Sequence, residues 1–421
     1  MYLKLHSDFA GNDLAREAAD IIKSCVHCGF CNATCPTYQE LFDERDGPRG
    51  RLYLVKHMLE SGQAGDATRM HLDRCLTCRA CETTCPSGVQ YSRVADNGRE
   101  IIDKATRRPI SERLMRGFAR KVFPFPARMR PLLAIGRLAR WLLPARLRRQ
   151  VPPRQTLSAH PVEQTVAQRT MLVLGGCVQA AATPATNHAA RRVFRRLGID
   201  LVDVPAAGCC GAVSFHLAAR EEALVFVRRN VDAWWPYVEA GAEAIVSTAS
   251  GCGVMINDYG ELLKDDPAYS AKAQRIAELA RDISEVLEAE DLDVLRDSAD
   301  KPVTAVHCPC TLSHGQKREG SVERILERTG VPLVATTENH LCCGSAGTYS
   351  LFQPELSRRL LERKLAALSV GEPEQIVTAN IGCQLHLASQ SDVPVRHWIE
   401  LLDNPPDRGK TGDSDFKCQA E

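Results

Sequence analysis

The chain lacks the features that would make it an exported, membrane-spanning or nucleotide-binding protein. It shows no basic segment followed by an apolar stretch at its start, so we expect no signal peptide. No apolar run approaches the roughly 18 residues of a membrane-spanning helix. The formal net charge is only +1, which argues against binding of a polyanion by the chain as a whole. No G-x-G-x-x-G follows a predicted strand, so we do not expect this chain to hold a flavin or a dinucleotide itself.

Cysteine is the unusual part of an otherwise ordinary composition. The chain has 421 residues, of which 44% are hydrophobic and 25% are charged, as in typical globular proteins. This length allows about three domains. Eighteen cysteines are unusual for such a chain. In a reducing cytoplasm, where we expect this protein, clustered cysteines bind metal or carry out redox chemistry more often than they form disulfides.

Two runs of cysteines, at residues 25–36 and 75–86, have the same spacing, C-x2-C-x2-C-x3-C-P. This spacing is typical of bacterial two-cluster ferredoxins, in which the fourth cysteine of each run ligates the other [4Fe–4S] cluster. Zinc is the main alternative, but zinc sites usually use paired C-x2-C units. We therefore expect one cluster on Cys25, Cys28, Cys31 and Cys85, and a second on Cys75, Cys78, Cys81 and Cys35.

Predicted helices flank both runs. Apolar residues at helical spacing predict helices over residues 13–24 and 52–60, and a short helix before the second run. We therefore expect residues 1–106 to form an α-helical two-cluster ferredoxin domain, similar to that of succinate dehydrogenase-type iron–sulfur subunits. Arg49 and Arg51 lie between the runs, where they approach cluster sulfurs, meet a partner carboxylate or are solvated.

Residues 107–154 are strongly basic. They contain fourteen Arg or Lys residues and a single acid, Glu112, interleaved with apolar residues and divided by prolines. Three interpretations are open: a contact with anionic lipid headgroups, a docking surface for an acidic partner, or a linker packed on its own domains. We expect residues 107–169 to be a connector. No nucleic-acid recognition module accompanies the charge, so we expect no nucleic-acid binding.

The rest of the chain alternates short apolar strands with amphipathic helices. Strands are predicted over residues 171–174, 244–247, 303–306 and 376–378, and helices over residues 187–197, 220–233, 321–329 and 355–368. This alternation predicts parallel sheets covered on both faces, and therefore an α plus α/β fold class for the whole chain. We expect one α/β module over residues 170–300, a second over 301–402, and a disordered tail over 403–421 in which Cys418 is incidental.

The α/β region carries a duplicated cysteine pattern. Its two copies are offset by 131 to 133 residues, and each offers four thiols: Cys177, Cys209, Cys210 and Cys252 in the first, and Cys310, Cys342, Cys343 and Cys383 in the second. A Gly follows each adjacent pair, as a tight turn requires. The equal spacing selects Cys310 as the counterpart of Cys177, which leaves Cys308 as an extra thiol. In a doubly wound fold such residues gather at the carboxyl ends of the strands.

The sequence does not decide which cofactor these thiols bind. Four thiols suit an ordinary iron–sulfur cluster, a single iron or zinc ion, or a redox-active thiol pair, and the alternative is a set of buried cysteines that act as small hydrophobes. His307, His314 and His340 lie near the second set in sequence. Each could ligate metal, support the site from a second layer (His307 and His340 above all) or relay protons, but the simplest interpretation for each is a hydrogen-bonded core histidine.

The paired-cysteine pattern resembles the CCG modules that occur in duplicate in heterodisulfide reductase-like proteins. In this chain Ala249 and Asn380 replace the first Cys of each final C-x-x-C. The order of ferredoxin domain, basic connector and two CCG modules closely resembles the iron–sulfur subunits of glycolate oxidase (glycolate dehydrogenase). The segments that carry this resemblance are residues 25–36, 46–51, 72–78, 233–236, 248–252, 307–312, 340–349 and 378–383.

The resemblance implies an oxidoreductase subunit that transfers electrons and has no acid–base catalytic residue of its own. It implies that an FAD-containing partner oxidises glycolate to glyoxylate, and that this chain relays the electrons through two [4Fe–4S] clusters to a quinone-type acceptor. Related subunits serve lactate and anaerobic glycerol-3-phosphate oxidation, and heterodisulfide reductase-like proteins suggest instead a reductase site in the CCG half. A scaffold with structural clusters is a third hypothesis. We expect a peripheral position on the inner face of the cell membrane.

Overall fold

The computed structural model describes residues 1–142, 144–155, 167–296 and 301–403. The predicted tail beyond its first residue, Cys418 and part of the predicted linker lie outside these residues. The N-terminal part is helical, as predicted. Its helices are α1 Asp13–Lys23, α2 Phe30–Ala33, α3 Pro36–Leu41, α4 Pro48–Ser61, α5 Asp66–Asp73, α6 Ala80–Thr83 and α7 Tyr91–Ala105.

Helices α1, α4, α5 and α7 form the core of this part. Helix α1 begins where the Asn12 side chain accepts a hydrogen bond from the backbone N–H of Ala15, which satisfies one of the free donors of the first turn. Its buried stripe of Ala15, Ala18 and Ile22 packs with apolar residues of α4 and α7. The thiols of both cysteine runs border this core, so the helices determine where the runs lie.

The two cysteine runs have the same backbone. His27 and Thr77 stand at equivalent positions and both have a left-handed φ, of 58° and 53°. Helices α2 and α6 follow at equivalent positions and lie against each other, and the Thr84 hydroxyl donates to the Thr34 hydroxyl at 3.3 Å. This near-symmetric pairing brings the fourth cysteine of each run towards the other run.

The connector forms helices α8 Ile110–Val122, α9 Pro126–Leu138 and α10 Ala145–Gln150. Arg108 is buried and pairs with Asp73, Asp103 and Glu112, which fastens the start of the connector to the ferredoxin part. Part of the basic charge is therefore structural. Across the part of the chain that the structure describes, no helix is long and apolar enough to cross a bilayer.

The first sheet is fully parallel, in the order β2-β1-β3-β4. We call this sheet and its helices module 1. Its strands are β1 Arg169–Leu174, β2 Ile199–Asp203, β3 Ile245–Ser247 and β4 Ala280–Asp282. Its helices are α11 Val178–Ala182, α12 Pro184–Arg196, α13 Ala212–His216, α14 Arg220–Glu239, α15 Ser250–Asn257, α16 Tyr259–Leu262, α17 Ser270–Leu279 and α18 Ile283–Glu288.

The second sheet repeats this plan in the order β5-β6-β7, also parallel. We call it, with its helices, module 2. Its strands are β5 Thr304–His307, β6 Gln375–Thr378 and β7 Val395–His397, and its helices are α19 Ser321–Arg328, α20 Tyr349–Phe352, α21 Pro354–Leu368 and α22 Ile381–Ala388. A single bridge between Thr304 and Leu333 stands where module 1 has β2. The duplication seen in the cysteines is thus a duplication of the fold.

The two modules share one core. Apolar residues from one face of each sheet, among them Val173, Val246, Val306 and Val377, form a single buried group between the modules. The opposite faces are covered by separate apolar groups. The prediction of sheets covered on both faces is confirmed. The carboxyl ends of β1, β3, β5 and β6 lead directly into the segments that carry Cys177, Cys252, Cys310 and Cys383.

Candidate metal centres

The cluster 1 site is the set Cys25, Cys28, Cys31 and Cys85. All four line one small cavity, with Cys85 arriving from the second run as predicted. Burial and the neighbouring thiols raise the pKa of Cys31 to about 11. Thiols of this kind bind metal as thiolates, and a cationic cluster supplies the charge that makes deprotonation favourable. Cys28 is exposed, so this site lies next to the protein surface.

The cluster 2 site is the set Cys75, Cys78, Cys81 and Cys35. Its members lie deeper, since Cys75, Cys81 and Cys35 are buried. Burial and the nearby Cys78, Cys75 and Cys35 raise the pKa of Cys81 well above its usual value. The structure therefore brings together both predicted sets of four thiols, while the ligation itself stays a prediction. Soft thiolate ligands in groups of four suit iron–sulfur clusters.

A buried charge network supports the loop that carries Cys35. Asp46 is fully buried and accepts hydrogen bonds from Arg74 Nη1 at 2.8 Å and from His71 Nδ1 at 2.9 Å. Arg51 is 1% exposed and donates from Nη2 to the Thr37 hydroxyl at 3.0 Å. The solvated interpretation of Arg51 is wrong, because its guanidinium lies inside this network.

The four thiols of module 1 lie together, each beside the next. Cys177 interacts with Cys209, Cys209 with Cys210, and Cys210 with Cys252. Hydrogen bonds from Cys177 and Cys210 lower the pKa of Cys209 well below its usual value. Gly211 follows the pair with a φ of +96°, and its N–H points at Cys209 Sγ at 3.5 Å. The positive φ explains why the pair is followed by glycine.

The four thiols of module 2 repeat this arrangement. Cys310 Sγ lies 3.9 Å from Cys342 Sγ, and Cys343 interacts with both Cys342 and Cys383. The N–H of Gly344 points at Cys342 Sγ at 3.4 Å, as in module 1. Gly344 has a φ of +87°, and a Cβ there would lie 2.5 Å from the carbonyl oxygen of Ser357. Cys310, rather than Cys308, occupies the repeated position, and Cys308 lies in the core shared by the modules.

Two polar residues distinguish module 2 from module 1. Strand β5 ends in His307, where the equivalent position of β1 is Leu174. One ring nitrogen of His307, Cys343 Sγ and Cys383 Sγ are three donor atoms that lie within 4.8 Å of one another. Lys364 on α21 is buried beside the thiols and donates from Nζ to the carbonyl oxygen of Glu338 at 2.7 Å.

Lys364 could have been noticed in the sequence as a cation within the apolar stripe of α21, where Leu360, Leu361 and Leu368 are buried. Sequence reasoning missed it.

His314 is a satisfied histidine, as expected, because its Nδ1 meets the Thr83 hydroxyl at 3.2 Å and its Nε2 meets the backbone oxygen of His340 at 2.9 Å. His340 is half-buried on the loop before the thiol pair, and its second-layer role stays a prediction.

The positions that lack the expected cysteine lie where the modules meet. Asn380 Oδ1 accepts a hydrogen bond from the N–H of Gly251 at 3.2 Å, and its Nδ2 donates to Cys383 Sγ at 3.5 Å. The N–H of Ser250, next to Ala249, donates to the oxygen of Ala379 at 3.0 Å. Asn380 thus joins the modules and places a donor on a site sulfur, a type of contact that tunes metal centres.

One cavity connects the sites. It measures about 1580 Å³ and is lined by thiols of both modules and by Cys75, Leu76 and Thr77 of the ferredoxin part. Within the same region Cys78 packs in one apolar group with Cys310 and Cys342. Burial and the nearby Cys310 raise the pKa of Cys78 well above its usual value. The cluster 2 site and the module 2 thiols are therefore direct neighbours.

Ion pairs hold the ferredoxin part against the modules. Arg79 in the second cysteine run pairs with Asp258 of module 1 at 2.5 Å, and Arg359 of module 2 pairs with Glu40 at 2.9 Å. The Tyr349 hydroxyl donates to the backbone oxygen of Arg74 at 3.1 Å. These contacts hold the ferredoxin part against both modules, and Arg74 and Arg79 lie next to Cys75 and Cys78 in the chain.

Comparisons with known proteins agree with this arrangement. Residues 21–89 match the 4Fe-4S dicluster domain family, and residues 171–257 and 304–388 match the cysteine-rich (CCG) domain family. The glycolate oxidase iron–sulfur subunit of Escherichia coli (strain K12) is 51% identical over 403 residues, which cover 96% of this chain and 98% of the relative. This chain belongs to the family of glycolate oxidase iron–sulfur subunits.

More distant relatives share parts of this family's sequence. A probable glycolate oxidase iron–sulfur subunit of Bacillus subtilis (strain 168) is 31% identical, with 86% of this chain and 88% of the relative covered. Lactate utilization protein A of Bacillus velezensis is 30% identical over 224 residues, or 50% of this chain and 90% of the relative. The family and the dicluster domain show that the chain is an iron–sulfur protein of the [4Fe–4S] type.

Proposed function

We propose that this chain relays electrons within a glycolate-oxidising complex, from an FAD-containing partner subunit towards a quinone-type acceptor. The observation that carries this proposal is that Cys78 lies in one apolar group with Cys310 and Cys342, which places the cluster 2 site beside module 2. When bound, each [4Fe–4S] cluster takes and gives one electron, which divides the electron pair of a flavin into single steps.

The surface around the cluster 1 site suits docking of the electron-donating partner. Cys28 is exposed, and Val26 and Phe30 beside it are 68% and 61% exposed. Exposed apolar side chains at a site that exchanges electrons are typical of an interaction surface. The cluster 2 site is buried between this surface and module 2. The cluster 1 site, the cluster 2 site and the module 2 thiols therefore follow one another from the surface inwards.

The protein's own contribution is to hold the thiols and to set their surroundings. Backbone N–H groups of Gly211 and Gly344 and the side chain of Asn380 point at site sulfurs. Such donors stabilise the more negative, reduced state of a thiolate-bound metal, so they raise its reduction potential. Burial of Cys75 and Cys81 keeps water away from the cluster 2 site.

A glycolate-dependent reduction assay on the purified complex tests the relay. We expect glycolate to reduce the clusters, seen by electron paramagnetic resonance, and a Cys28→Ser variant to lose most dye reduction while the complex still assembles. Cys308→Ser is the matched control, since Cys308 lies in the shared core and belongs to none of the four sets of thiols. Clusters that stay oxidised with glycolate, or a Cys28→Ser complex with full activity, would contradict the relay. If lactate but not glycolate reduced the clusters, lactate would replace glycolate as the proposed substrate of the complex.

The connector supports a peripheral position at an anionic membrane surface. Ile110, Leu114 and Phe118 form an exposed apolar row along α8, and the exposed side chains of Arg113 and Lys121 flank it. An exposed apolar row with flanking cations is typical of an interfacial helix.

Flotation of the complex with vesicles that contain anionic lipid tests this contact. We expect the complex to float, and a variant with Leu114→Asp and Phe118→Asp to remain at the bottom of the gradient. Val225→Asp, at an exposed apolar residue on α14, is the control and should float. Equal flotation of both variants would exclude a contact through α8.

A further inference from the structure

The side chain of His307 is buried without satisfying its hydrogen-bonding capacity. It is 1% exposed, and its Nδ1 lies 2.9 Å from the Thr378 hydroxyl. Its Nε2 has no hydrogen-bond partner among the described residues. Buried polar atoms nearly always have a partner, so an orphaned ring nitrogen at this depth needs an explanation. The interpretation of His307 as a satisfied core histidine is wrong.

The imidazole of His307 belongs to a donor set. His307, Cys343 and Cys383 are all buried, and one atom of each lies within 4.8 Å of the other two. Around a tetrahedral zinc or iron ion with bonds of about 2.1 Å to nitrogen and 2.3 Å to sulfur, ligand atoms stand about 3.6–3.8 Å apart. The spacing in module 2 therefore needs only small side-chain rotations to reach coordination distance.

The surroundings orient the imidazole for this role. Strands β5 and β6 pair in register at His307 and Thr378, so the hydroxyl stands directly beside the ring. When Nδ1–H donates to that hydroxyl, the lone pair is on Nε2, as metal coordination requires. Metal-ligating histidines commonly donate their other ring N–H in this way.

Module 1 serves as an internal comparison. It has the same four thiols, but Leu174 stands in place of His307. Ser247 stands in place of Thr378, and its hydroxyl donates to the backbone oxygen of Ala249 at 2.8 Å. Both the imidazole and its orienting contact are thus particular to module 2, whereas the thiol scaffold is common to both.

We propose that module 2 binds a transition-metal centre, zinc or iron, through His307 Nε2 together with the thiolates of Cys343 and Cys383. Mixed imidazole and thiolate ligands suit both metals. With iron, a nitrogen ligand gives the centre a higher reduction potential than thiolates alone, as in clusters where His replaces Cys. The site does not depend on which substrate the complex oxidises, and it stands if the donor is not glycolate.

Metal analysis of the purified complex, with two histidine variants, tests this site. His307→Leu introduces the residue that module 1 has at the same position, so the fold should accept it. The matched control is His386→Met, which likewise introduces the module 1 residue, Met255, but at a histidine whose Nε2 meets the Ser357 hydroxyl. We expect His307→Leu to lose one metal equivalent per chain while both ferredoxin-type signals persist, and His386→Met to lose none.

Spectroscopy distinguishes the two metals. If the centre is iron, pulsed electron paramagnetic resonance should show coupling to a directly bound nitrogen that His307→Leu removes. If it is zinc, X-ray absorption at the zinc edge should show one nitrogen among sulfur ligands. His307→Cys provides a second variant, in which the metal should remain and the nitrogen signal disappear. Unchanged metal and nitrogen signals in these variants, or no metal beyond the iron of the two ferredoxin clusters, would overturn the proposal.

Discussion

Replacement of Asp46 by Asn measures how strongly a buried charge holds the cluster 2 site in place. Asp46 is 0% exposed and accepts hydrogen bonds from His71 and Arg74, with Arg51 Nη2 at 3.5 Å. Asn keeps the shape of the side chain, but it removes the charge and places an N–H₂ group among donors. The buried Arg51 guanidinium then loses its counter-charge.

The expected loss of stability is large because the pair is buried. Breaking a buried ion pair by removing one partner costs about 3–5 kcal/mol, since the other charge stays buried without compensation. The nearby pair of Asp43 and Arg45 gives the matched control, because their N–O distance is 2.7 Å but the pair is largely exposed. Such surface pairs contribute about 0–1 kcal/mol. Asp43 is also the N-cap of the short 3-10 helix Glu44–Asp46, where its side chain accepts a hydrogen bond from the N–H of Arg45 at 2.9 Å. Asn is an equally good N-cap, so Asp43→Asn keeps this hydrogen bond.

Anaerobic urea unfolding of the full chain, followed by the visible absorbance of its clusters, measures the difference. We expect Asp46→Asn to lower the unfolding free energy of the ferredoxin part by about 3–5 kcal/mol and to release the cluster of the second site first, since Thr37 links Arg51 to the Cys35 loop. Asp43→Asn should change it by less than about 1 kcal/mol. Equal effects of the two variants would refute the view that this network supports the site.

Two further predictions concern the modules. Gly344→Ala should destabilise module 2 more than Gly211→Ala destabilises module 1. Both glycines have a positive φ, which costs an alanine about 1–2 kcal/mol, but the new Cβ would lie 2.5 Å from a carbonyl oxygen in module 2 and 3.1 Å from one in module 1. Equal shifts of the urea midpoint for the two variants would contradict this prediction. Burial lowers the pKa of His397, whose Nε2–H donates to Thr248 of the other module, from 6.5 to about 4. Unfolding therefore takes up a proton below pH 6.5, so wild-type stability relative to a His397→Gln variant should fall by on the order of 3 kcal/mol between pH 6.5 and pH 4. A constant difference across that range in urea titrations would show that His397 is not the responsible group.

Much of the site could be predicted because metal ligation imposes fixed spacing on a sequence. The spacing of the cysteines alone indicates which thiols meet, and the structure brings each of the four sets together. Strands β1, β3, β5 and β6 were also predictable, since they are buried apolar runs. Strand β2 was not, because the acids in Ile199–Asp203 interrupt its pattern. Strands β4 and β7 are as short as β3, but each has an arginine at its centre instead of an apolar residue.

Features that depend on tertiary contacts could not be read from the sequence. The contact of His307 Nδ1 with the Thr378 hydroxyl follows from the register between β5 and β6, which no local pattern encodes. The approach of Cys78 to Cys310 depends on how the ferredoxin part lies against module 2. Sequence reasoning prefers the same interpretation, a hydrogen-bonded core histidine, for His307, His314 and His340, whereas the structure gives only His314 two ring partners within hydrogen-bonding distance.

The duplication has been kept where it builds the scaffold and changed where the two sites differ in chemistry. Thiols and turn glycines repeat, but His307 and Lys364 have only apolar or neutral counterparts, Leu174 and Asn230. The counterpart of Lys364 follows from geometry, since Gly211 and Gly344 contact equivalent turns of α14 and α21. Cys78 of the cluster 2 site also lies near Cys310 and Cys342 of module 2. The two residues particular to module 2, His307 and Lys364, thus occur in the module whose thiols lie near the cluster 2 site. This arrangement is expected if electrons reach module 2 before module 1.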